Sequence, residues 1–425
     1  MLQSGNVPPH QLSTTGVEDE GLERLAGART GGRPRILFVI NSLTGGGAER
    51  VFSTVLRNSP AELAGIDAHV ALLDLDPPAF SLPDGVTQHQ LDCRHQLGRS
   101  IWSVAQTARR LQPDLIVSFL TRANVAAALA GRVAGCPVII SERNDTTAQL
   151  GHGRFPALAR SIVRLGYRQA DEVIAVSAGV GEAMRLEYGI APNRVRVINN
   201  PVDLHAIAAA AAAEPALEVS ADDVVMLARL EPQKNLPVAI EAFASSGWPG
   251  RLLILGEGPL RAELRGLGDR LGLGSRLVMP GYVANPHAVL ARGALFMLAS
   301  RHEGFCNSLV EAMAAGVAVL ASDCRFSPAE ILEVETPPRT GEVVAGNGGL
   351  LVPVDDVAAM ASGLRMLEDP ALRARLAAAG RQRVQDFAVA RQVARYWDAF
   401  REVADRNRGA HAASGRLGSQ LGSVP

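Results

Sequence analysis

The stretch from residue 294 to Asp323 constrains the fold most strongly. An apolar run over residues 294–299 has the length and composition of a buried strand, and a polar turn carrying Glu303 follows it. The next segment has helical composition and ends at Gly316, after which a second apolar run begins. Strand, turn, helix and strand in this order are typical of a parallel sheet that has helices packed on its faces. We therefore expect an α/β fold.

The same alternation recurs along most of the chain. Other apolar runs suited to buried strands lie at residues 36–40, 68–73, 115–119, 138–141, 172–176, 224–228 and 252–255. Alanine-rich segments of helical composition separate many of them. At 425 residues the chain is too long for one ordinary core. The sequence therefore predicts two Rossmann-like domains, each with a doubly wound parallel sheet.

Composition excludes several classes of protein. A hydrophobic content of 47% with 20% charged residues is globular, and a formal net charge of −1 gives no global attraction to nucleic acid. The four cysteines are scattered, which argues against a zinc site or a disulfide scaffold. No apolar run approaches the roughly 18–20 residues that span a bilayer. We expect a cytoplasmic protein, at most peripheral on the inner face of the cell membrane.

The turn after the 294–299 strand is a candidate anion site. Asn307 or Ser308 can serve as the N-cap of the following helix, with Glu311 as a capping-box partner. Free backbone N–H groups and the helix dipole at such a start attract a negative group. Glu303 and Glu311 bracket this turn.

Two further segments follow predicted strands and suit the same kind of ligand. Arg229 and Lys234 come directly after the strand at 224–228, and a guanidinium fork and an ammonium suit clustered phosphate oxygens. Lys234 is the only lysine in the chain. After the first strand, a glycine-rich turn that includes Gly46 and Gly47 leaves backbone N–H groups exposed, but it does not match the dinucleotide fingerprint GxGxxG.

Taken in order, these motifs resemble those of retaining, GT-B-fold glycosyltransferases of family 4 (glycosyl transferases group 1). The spacing of Glu303 and Glu311 resembles the family's Glu-x7-Glu signature, and residues 229–235 resemble its Arg-Leu-x-x-x-Lys-Gly/Asn motif. Residues 46–50, Gly-Gly-Ala-Glu-Arg, resemble its first loop, and the Gly-x-Gly at 256–258 resembles its base-side turn. The resemblance covers roughly residues 35–406.

The resemblance implies a GT-B architecture, in which two Rossmann-like domains face each other across a cleft. We expect an acceptor domain at 34–203 and a nucleotide-sugar donor domain at 204–387. A C-terminal helix at about 388–406 is expected to pack back on the first domain. The remaining segments, 1–33 and 407–425, are expected to be disordered tails.

For the donor, the resemblance implies a role for each matching residue. Glu303 would face the donor sugar, and Glu311 would bind the ribose hydroxyls. Arg229 and Lys234 would neutralise the leaving diphosphate. The remaining expected donor-site residues contact the phosphates, the nucleotide base or the reacting groups through backbone or short side chains: Gly46, Gly47, Gly256, Glu257, Asn307, Ser308 and Leu309.

The loop after the 138–141 strand departs from the family pattern. Many family members place a histidine there, whereas this chain has Glu142, Arg143 and Asn144. Glu142 is a candidate catalytic residue that would orient the acceptor hydroxyl, and Arg143 is a candidate acceptor contact. A structural salt bridge between Glu142 and a neighbouring arginine is the alternative.

A basic amphipathic segment follows that loop. Arg160, Arg164 and Arg168 recur every four residues on one helical face, and no acidic residue occurs between Asp145 and Asp171. This pattern indicates contact with anionic lipid or with a phosphorylated acceptor. The alternative is a solvated face paired with acidic neighbours.

The resemblance implies transfer of a sugar, with retention, from a nucleotide-diphosphate donor. A UDP-linked hexose or N-acetylhexosamine is the expected donor, and a glycan or polyprenyl-linked acceptor in polysaccharide or glycoconjugate biosynthesis is the expected acceptor. No metal cofactor is expected, because the cations can take its place at the diphosphate. Two alternatives stay open: a sugar-nucleotide epimerase of the same fold, and a non-catalytic nucleotide-sugar-binding protein.

Overall fold

The computed structural model describes residues 33–151 and 155–421. It contains two seven-stranded sheets, one in each half of the chain. Residues 1–32 of the predicted N-terminal tail lie outside the described residues. Among the described residues, no helix combines the length and the apolar character needed to cross a membrane.

The first sheet is parallel throughout and has the strand order β3-β2-β1-β4-β5-β6-β7. Its strands are β1 (Arg35–Ile40), β2 (Asp67–Leu72), β3 (Thr87–Gln90), β4 (Leu115–Phe119), β5 (Val138–Glu142), β6 (Glu172–Ala175) and β7 (Val195–Val197). The five strands expected from apolar runs are present. The edge strand β3 was missed because its sequence, Thr-Gln-His-Gln, is polar and largely exposed.

Helices cover both faces of this sheet. They are α1 (Gly47–Arg57), α2 (Pro60–Ala64), α3 (Leu97–Leu111), α4 (Thr121–Ala134), α5 (Thr146–Gly151), α6 (Pro156–Tyr167) and α7 (Ala178–Leu186). Side chains of α1 join one core cluster, and those of α3, α4 and α6 join another on the opposite face. The sheet is therefore doubly wound, as predicted.

The second sheet has the order β10-β9-β8-β11-β12-β14-β13 and is parallel except at its last strand. Its strands are β8 (Val224–Leu227), β9 (Leu252–Leu255), β10 (Leu277–Gly281), β11 (Leu295–Leu298), β12 (Ala318–Ser322), β13 (Val344–Gly346) and β14 (Gly349–Val352). The segment 333–346 ends in β13, which pairs antiparallel with β14.

Helices also cover the second sheet, beginning with one that follows the connection between the domains. They are α8 (Leu204–Ala212), α9 (Leu236–Ser246), α10 (Arg261–Arg270), α11 (Pro286–Leu290), α12 (Asn307–Ala315), α13 (Pro328–Leu332), α14 (Val357–Met366) and α15 (Pro370–Arg383). Gly316 ends α12 in the left-handed conformation, with φ of 85°, which is why the helix stops where the sequence predicted.

The last helix, α16 (Val389–Leu421), returns to the first domain. Tyr396, Trp397 and Phe400 are buried in the same cluster as β1 and α1, and Trp397 Nε1 donates to Ser59 Oγ at 2.6 Å. The expected helix end at about residue 406 and disordered tail from 407 were wrong, because the helix continues to residue 421. That stretch contains no proline, so its glycines weaken the helix without blocking its hydrogen bonds.

Candidate active site

A cleft of about 860 Å³ lies between the two domains, where loops at the carboxyl ends of their strands meet. The domains approach closely there. Ser177 Oγ donates to the carbonyl of Gly304 at 2.9 Å, and a β-carbon on Gly304 would lie only 2.2 Å from the carbonyl oxygen of Arg143. The turn after β11 therefore needs glycine at this point. The predicted residues that line the cleft are Gly47, Arg143, Arg229, Lys234, Glu303, Asn307, Ser308 and Glu311.

Lys234 and Glu303 form a half-buried ion pair in this cleft. Lys234 Nζ lies 2.5 Å from Glu303 Oε1, and Ser300 Oγ donates to the same oxygen at 2.8 Å. Burial alone would lower the pKa of Lys234, but the Glu303 carboxylate outweighs burial and raises that pKa above its ordinary value. The only lysine therefore stays charged at neutral pH and is fixed beside the first carboxylate of the Glu303–Glu311 pair.

Arg229 lies at the rim of the same cleft. Its side chain is 69% exposed and contacts Glu231 at 2.9 Å, a surface ion pair of little energetic weight. An arriving anion can replace Glu231 at small cost. Arg229 and Lys234 thus place one adaptable and one fixed cation on the wall of the cleft that the second domain forms.

The start of α12 differs in detail from the prediction. The helix begins at Asn307 with Cys306 as its N-cap, and no side chain caps it. The proposed N-caps and capping box were wrong because Asn307 and Glu311 bind elsewhere. Asn307 Oδ1 accepts from Asn200 of the first domain at 2.7 Å. Leu309 is a core residue whose N–H donates to the Cys306 carbonyl at 3.1 Å.

Glu311 is buried between Arg50 and His287. Arg50, from α1 of the first domain, donates to its Oε1, and His287 Nε2 lies 3.5 Å from its Oε2. Burial would raise the pKa of Glu311, but His287 and Arg50 outweigh burial and lower that pKa. Glu311 is therefore an ionised hydrogen-bond acceptor facing the cleft.

The expected glycines lie before α1 and at the end of β9, and of these only Gly47 lines the cleft. Gly46 precedes α1, and Gly47 lies so near α12 that a β-carbon on it would approach Asn307 Nδ2 to 3.3 Å. At the end of β9, a β-carbon on Gly256 would lie 2.1 Å from the Ala228 carbonyl oxygen. Gly256 and Glu257 do not belong to the lining of the main cleft. The backbone carbonyl of Glu257 accepts from the N–H of Leu230, the residue after Arg229, at 2.8 Å.

The loop after β5 corrects one prediction. Glu142 is fully buried beneath the cleft and does not line it. Its carboxylate accepts from Tyr167 O–H and from the N–H groups of Arg143 and Asn144 at 2.9 and 3.1 Å. Burial raises its pKa. Neither the acceptor-orienting role nor the salt bridge is present, because the Glu142 carboxylate instead holds the loop backbone in place.

Arg143 lies in the lining of the cleft as a buried connector. It donates to Ser141 Oγ at 3.0 Å, to Tyr396 O–H and to Asn200 Oδ1. Because Asn200 in turn binds Asn307, a chain of polar contacts runs from the acceptor-side loop to the start of α12.

Arg160, Arg164 and Arg168 lie apart from the cleft lining. Arg160 and Arg164 lie on α6 and border a separate cavity of about 450 Å³, and Arg168 caps the end of that helix. All three are exposed.

One group of potential metal ligands lies elsewhere in the described part of the chain. Asp74, Asp76 and His95 bring ligand atoms within 4.8 Å of one another, and the Asp-Leu-Asp sequence at 74–76 was overlooked in the sequence analysis. Arg122 donates to both carboxylate oxygens of Asp74, which takes the place a cation would need. None of these residues lines the cleft.

Two facing α/β domains, with a helix start, two cations and paired carboxylates between them, define a GT-B glycosyltransferase fold. Residues 212–383 match the family described as Glycosyl transferases group 1, and residues 45–206 match Glycosyltransferase Family 4. The chain is 30% identical over 348 residues to the N-acetylgalactosamine-N,N'-diacetylbacillosaminyl-diphospho-undecaprenol 4-alpha-N-acetylgalactosaminyltransferase of Campylobacter jejuni, covering 79% of this chain and 90% of that protein. The chain therefore belongs to glycosyltransferase family 4.

Two further similarities agree with this assignment. A second Campylobacter jejuni enzyme, GalNAc-alpha-(1->4)-GalNAc-alpha-(1->3)-diNAcBac-PP-undecaprenol alpha-1,4-N-acetyl-D-galactosaminyltransferase, is 24% identical over 376 residues, covering 84% of this chain and 95% of that protein. The crystal structure of Anabaena HepE in complex with UDP superposes with a TM-score of 0.69 at 22% identity, covering 86% of this chain and 99% of HepE. The structural similarity to HepE establishes the fold.

Sequence reasoning missed three residues of the site. Arg50 and Asn200 lie in stretches that resemble family motifs but received no role, and His287 was not considered. Each contacts a residue from a distant part of the chain, so local pattern gave no sign of the contact. The only sequence feature near His287 is Asn285, two residues before it, whose side chain caps α11.

Proposed function

We propose that the protein transfers a sugar from a nucleotide-diphosphate donor to an acceptor with retention at the anomeric carbon, without a metal ion. The observation that carries this proposal is the convergence of Lys234, Glu303, Glu311 and the start of α12 in one cleft. Glu311 suits the ribose of a nucleotide, Lys234 and the start of α12 suit a diphosphate, and Glu303 suits a sugar.

The two cations and the helix start would stabilise the leaving group. Breaking the glycosidic bond leaves negative charge on the diphosphate, and preorganised donors aimed at developing charge are a large source of catalysis. Lys234 is held by Glu303, whereas Arg229 is free to turn inward. Ser308 supplies a backbone N–H at the start of α12, where the helix dipole favours an anion.

Each carboxylate would hold a different part of the donor. Glu311 is ionised and directed into the cleft, which suits hydrogen bonds from the ribose hydroxyls. Glu303 lies beside Lys234, which suits contact with sugar hydroxyls next to the diphosphate. On the opposite wall, Arg143 and Asn144 face the space that an acceptor would enter.

Similarity supports a choice of substrates. The Campylobacter jejuni relatives are named for N-acetylgalactosaminyl transfer to undecaprenyl-diphosphate-linked saccharides, and HepE was crystallised with UDP and with UDP-glucose. We infer a UDP-linked hexose or N-acetylhexosamine as donor and a glycan or polyprenyl-linked glycan as acceptor. Such an enzyme would work on the cytoplasmic side of a membrane.

The test is transfer with purified full-length protein in EDTA. UDP-linked hexoses and N-acetylhexosamines are supplied with an undecaprenyl-diphosphate-linked saccharide, and the product linkage is read by NMR. The proposal expects an α-linked product from an α-linked donor. A β-linked product would contradict retention, and activity only after metal addition would contradict metal independence. Conversion of the donor sugar without acceptor would instead indicate an epimerase.

A further inference from the structure

Three neighbouring helices of the first domain carry exposed basic and apolar side chains and contain no acidic residue, and Glu187, directly after α7, borders Arg160 and Arg164. Helices α3, α4 and α6 pack side by side on one face of the sheet and share a core cluster. Every charged residue within these helices is an arginine. We call their outer surface the basic face. Its exposed arginines are Arg99, Arg109, Arg110, Arg132, Arg160 and Arg164, and Arg168 directly follows α6.

The charge pattern is specific to this side of the domain. On the opposite side of the same sheet, α1 carries Glu49, α2 carries Glu62, and α16 carries Asp398 and Glu402. The whole chain has a net charge of only −1. The opposite side also carries arginines, such as Arg57 and Arg391, but there they are accompanied by acidic residues, whereas α3, α4 and α6 contain none.

Large apolar side chains lie exposed among these arginines. Leu158, Ile162 and Leu165 form a stripe along α6 at spacings of four and three residues, beside the stripe of Arg160 and Arg164. On α3, Trp102 is 66% exposed. Such a stripe facing solvent, together with the exposed Trp102, is unusual for a folded domain and marks an interaction surface.

We propose that the basic face docks the protein on a membrane that carries anionic lipid. Arginines beside exposed leucine, isoleucine and tryptophan suit both layers of such a surface, because the cations meet headgroup phosphates while the apolar groups enter the interface. A soluble polyanion would leave the apolar stripe in water. A second copy of the chain would bring arginines against arginines.

The basic face also adjoins the cleft. Asn144, Asp145 and Gln149 line the cleft, and α6 begins a few residues later in the chain. Docking by this face would bring the acceptor-side wall near the lipid headgroups. This inference stands independently of the proposed reaction, since vesicle binding is measured without turnover.

Native tryptophan fluorescence gives a direct readout. The chain has three tryptophans, and Trp248 and Trp397 are buried whereas Trp102 is exposed. Vesicles of phosphatidylcholine mixed with phosphatidylglycerol should shift the emission to the blue, and lipids brominated on their acyl chains should quench it. Pure phosphatidylcholine vesicles should do neither, and Trp102→Phe should abolish both signals.

Vesicle flotation with variants tests the arginines. The triple variant Arg160→Gln, Arg164→Gln and Arg168→Gln should bind mixed vesicles on the order of 100-fold more weakly, since each arginine near an anionic surface contributes about fivefold. A matched control replaces three exposed donor-domain arginines by Gln, at Arg339, Arg365 and Arg375. It carries the same charge change and should bind like the wild type.

The apolar part is tested by Leu158→Ser with Leu165→Ser, which should weaken binding while keeping its sensitivity to salt. Both variants are checked for unchanged thermal unfolding and UDP binding. Three results would overturn the proposal: wild-type protein that ignores anionic vesicles at low salt, a control triple as defective as the test triple, or flotation without a change at Trp102. Concentration-dependent dimerisation abolished by the same substitutions would instead make the face a self-association surface.

Discussion

Arg50 of the first domain and Glu311 of the second form an ion pair across the cleft, although 261 residues separate them. Glu311 is the carboxylate proposed to bind the donor ribose, so the ribose hydroxyls and Arg50 of the first domain would compete for the same carboxylate. His287 Nε2 of the second domain lies 3.5 Å from the other carboxylate oxygen. If Glu311 binds the ribose as proposed, the ribose displaces Arg50, and donor binding is coupled to the contact between the domains.

Replacing Arg50 with alanine should leave UDP affinity unchanged or tighten it by up to about fivefold. The Arg50 side chain is 45% exposed, so the pair stabilises the closed cleft by about 1 kcal/mol or less. Calorimetry measures the affinity, and small-angle scattering should find a more open average shape. A tenfold loss of UDP affinity would instead make Arg50 a donor ligand.

Lys234→Ala should slow transfer by about 30- to 1,000-fold, which corresponds to about 2–4 kcal/mol of transition-state stabilisation. The physical reason is the loss of a fixed cation at the leaving diphosphate. Single-turnover kinetics at saturating donor separate this effect from weaker binding. Arg375→Ala, an exposed donor-domain change, is the control. Unchanged turnover in Lys234→Ala would remove Lys234 from the site.

Chemical labelling offers an independent check on the same residue. Because Lys234 is the only lysine, an amine-specific reagent can modify one side chain beyond the N-terminus. The Glu303 carboxylate raises the pKa of Lys234, so labelling should be slow at neutral pH and should accelerate only in strongly alkaline buffer. Saturating UDP should protect it, as measured by mass spectrometry. Labelling that ignores UDP would place the nucleotide elsewhere.

Glu142 should matter for stability and its pH dependence. Glu142→Ala leaves the Tyr167 hydroxyl and two backbone N–H groups without their acceptor, which should cost about 2–4 kcal/mol of unfolding free energy. Burial raises the pKa of Glu142 in the folded protein. Its contribution to stability is therefore complete at pH values below its pKa in the unfolded chain, about 4.3, and is lost as the pH rises through its higher pKa in the folded protein.

The neutral isostere Glu142→Gln tests that sign. The difference in unfolding temperature between Glu142→Gln and the wild type should increase as the pH rises above the pKa of Glu142 in the unfolded chain, because only the wild type must then bury a charge. A difference that stays constant with pH, or one that falls, would contradict this account of the loop.

Sequence reasoning predicted the features that depend on local pattern. Buried strands such as β4 and β11 are apolar runs, and Gly316 ends α12 because a glycine adopts φ of 85° without strain. Sequence reasoning failed for contacts between residues that lie far apart along the chain. Nothing near Glu311 in sequence indicates Arg50, and the Glu142 carboxylate was assigned to the cleft because sequence gives no sign that it points beneath the loop.

The most direct test of the central claim is calorimetric binding of nucleotides to the full-length protein in EDTA. UDP, GDP, ADP, CMP and NAD are compared, using wild type, Glu311→Ala and the exposed control Glu263→Ala. The account predicts that UDP binds, that Glu311→Ala weakens it by about 10- to 100-fold through loss of charged hydrogen bonds, and that Glu263→Ala does not. Binding of NAD alone, or of none of them, would contradict it.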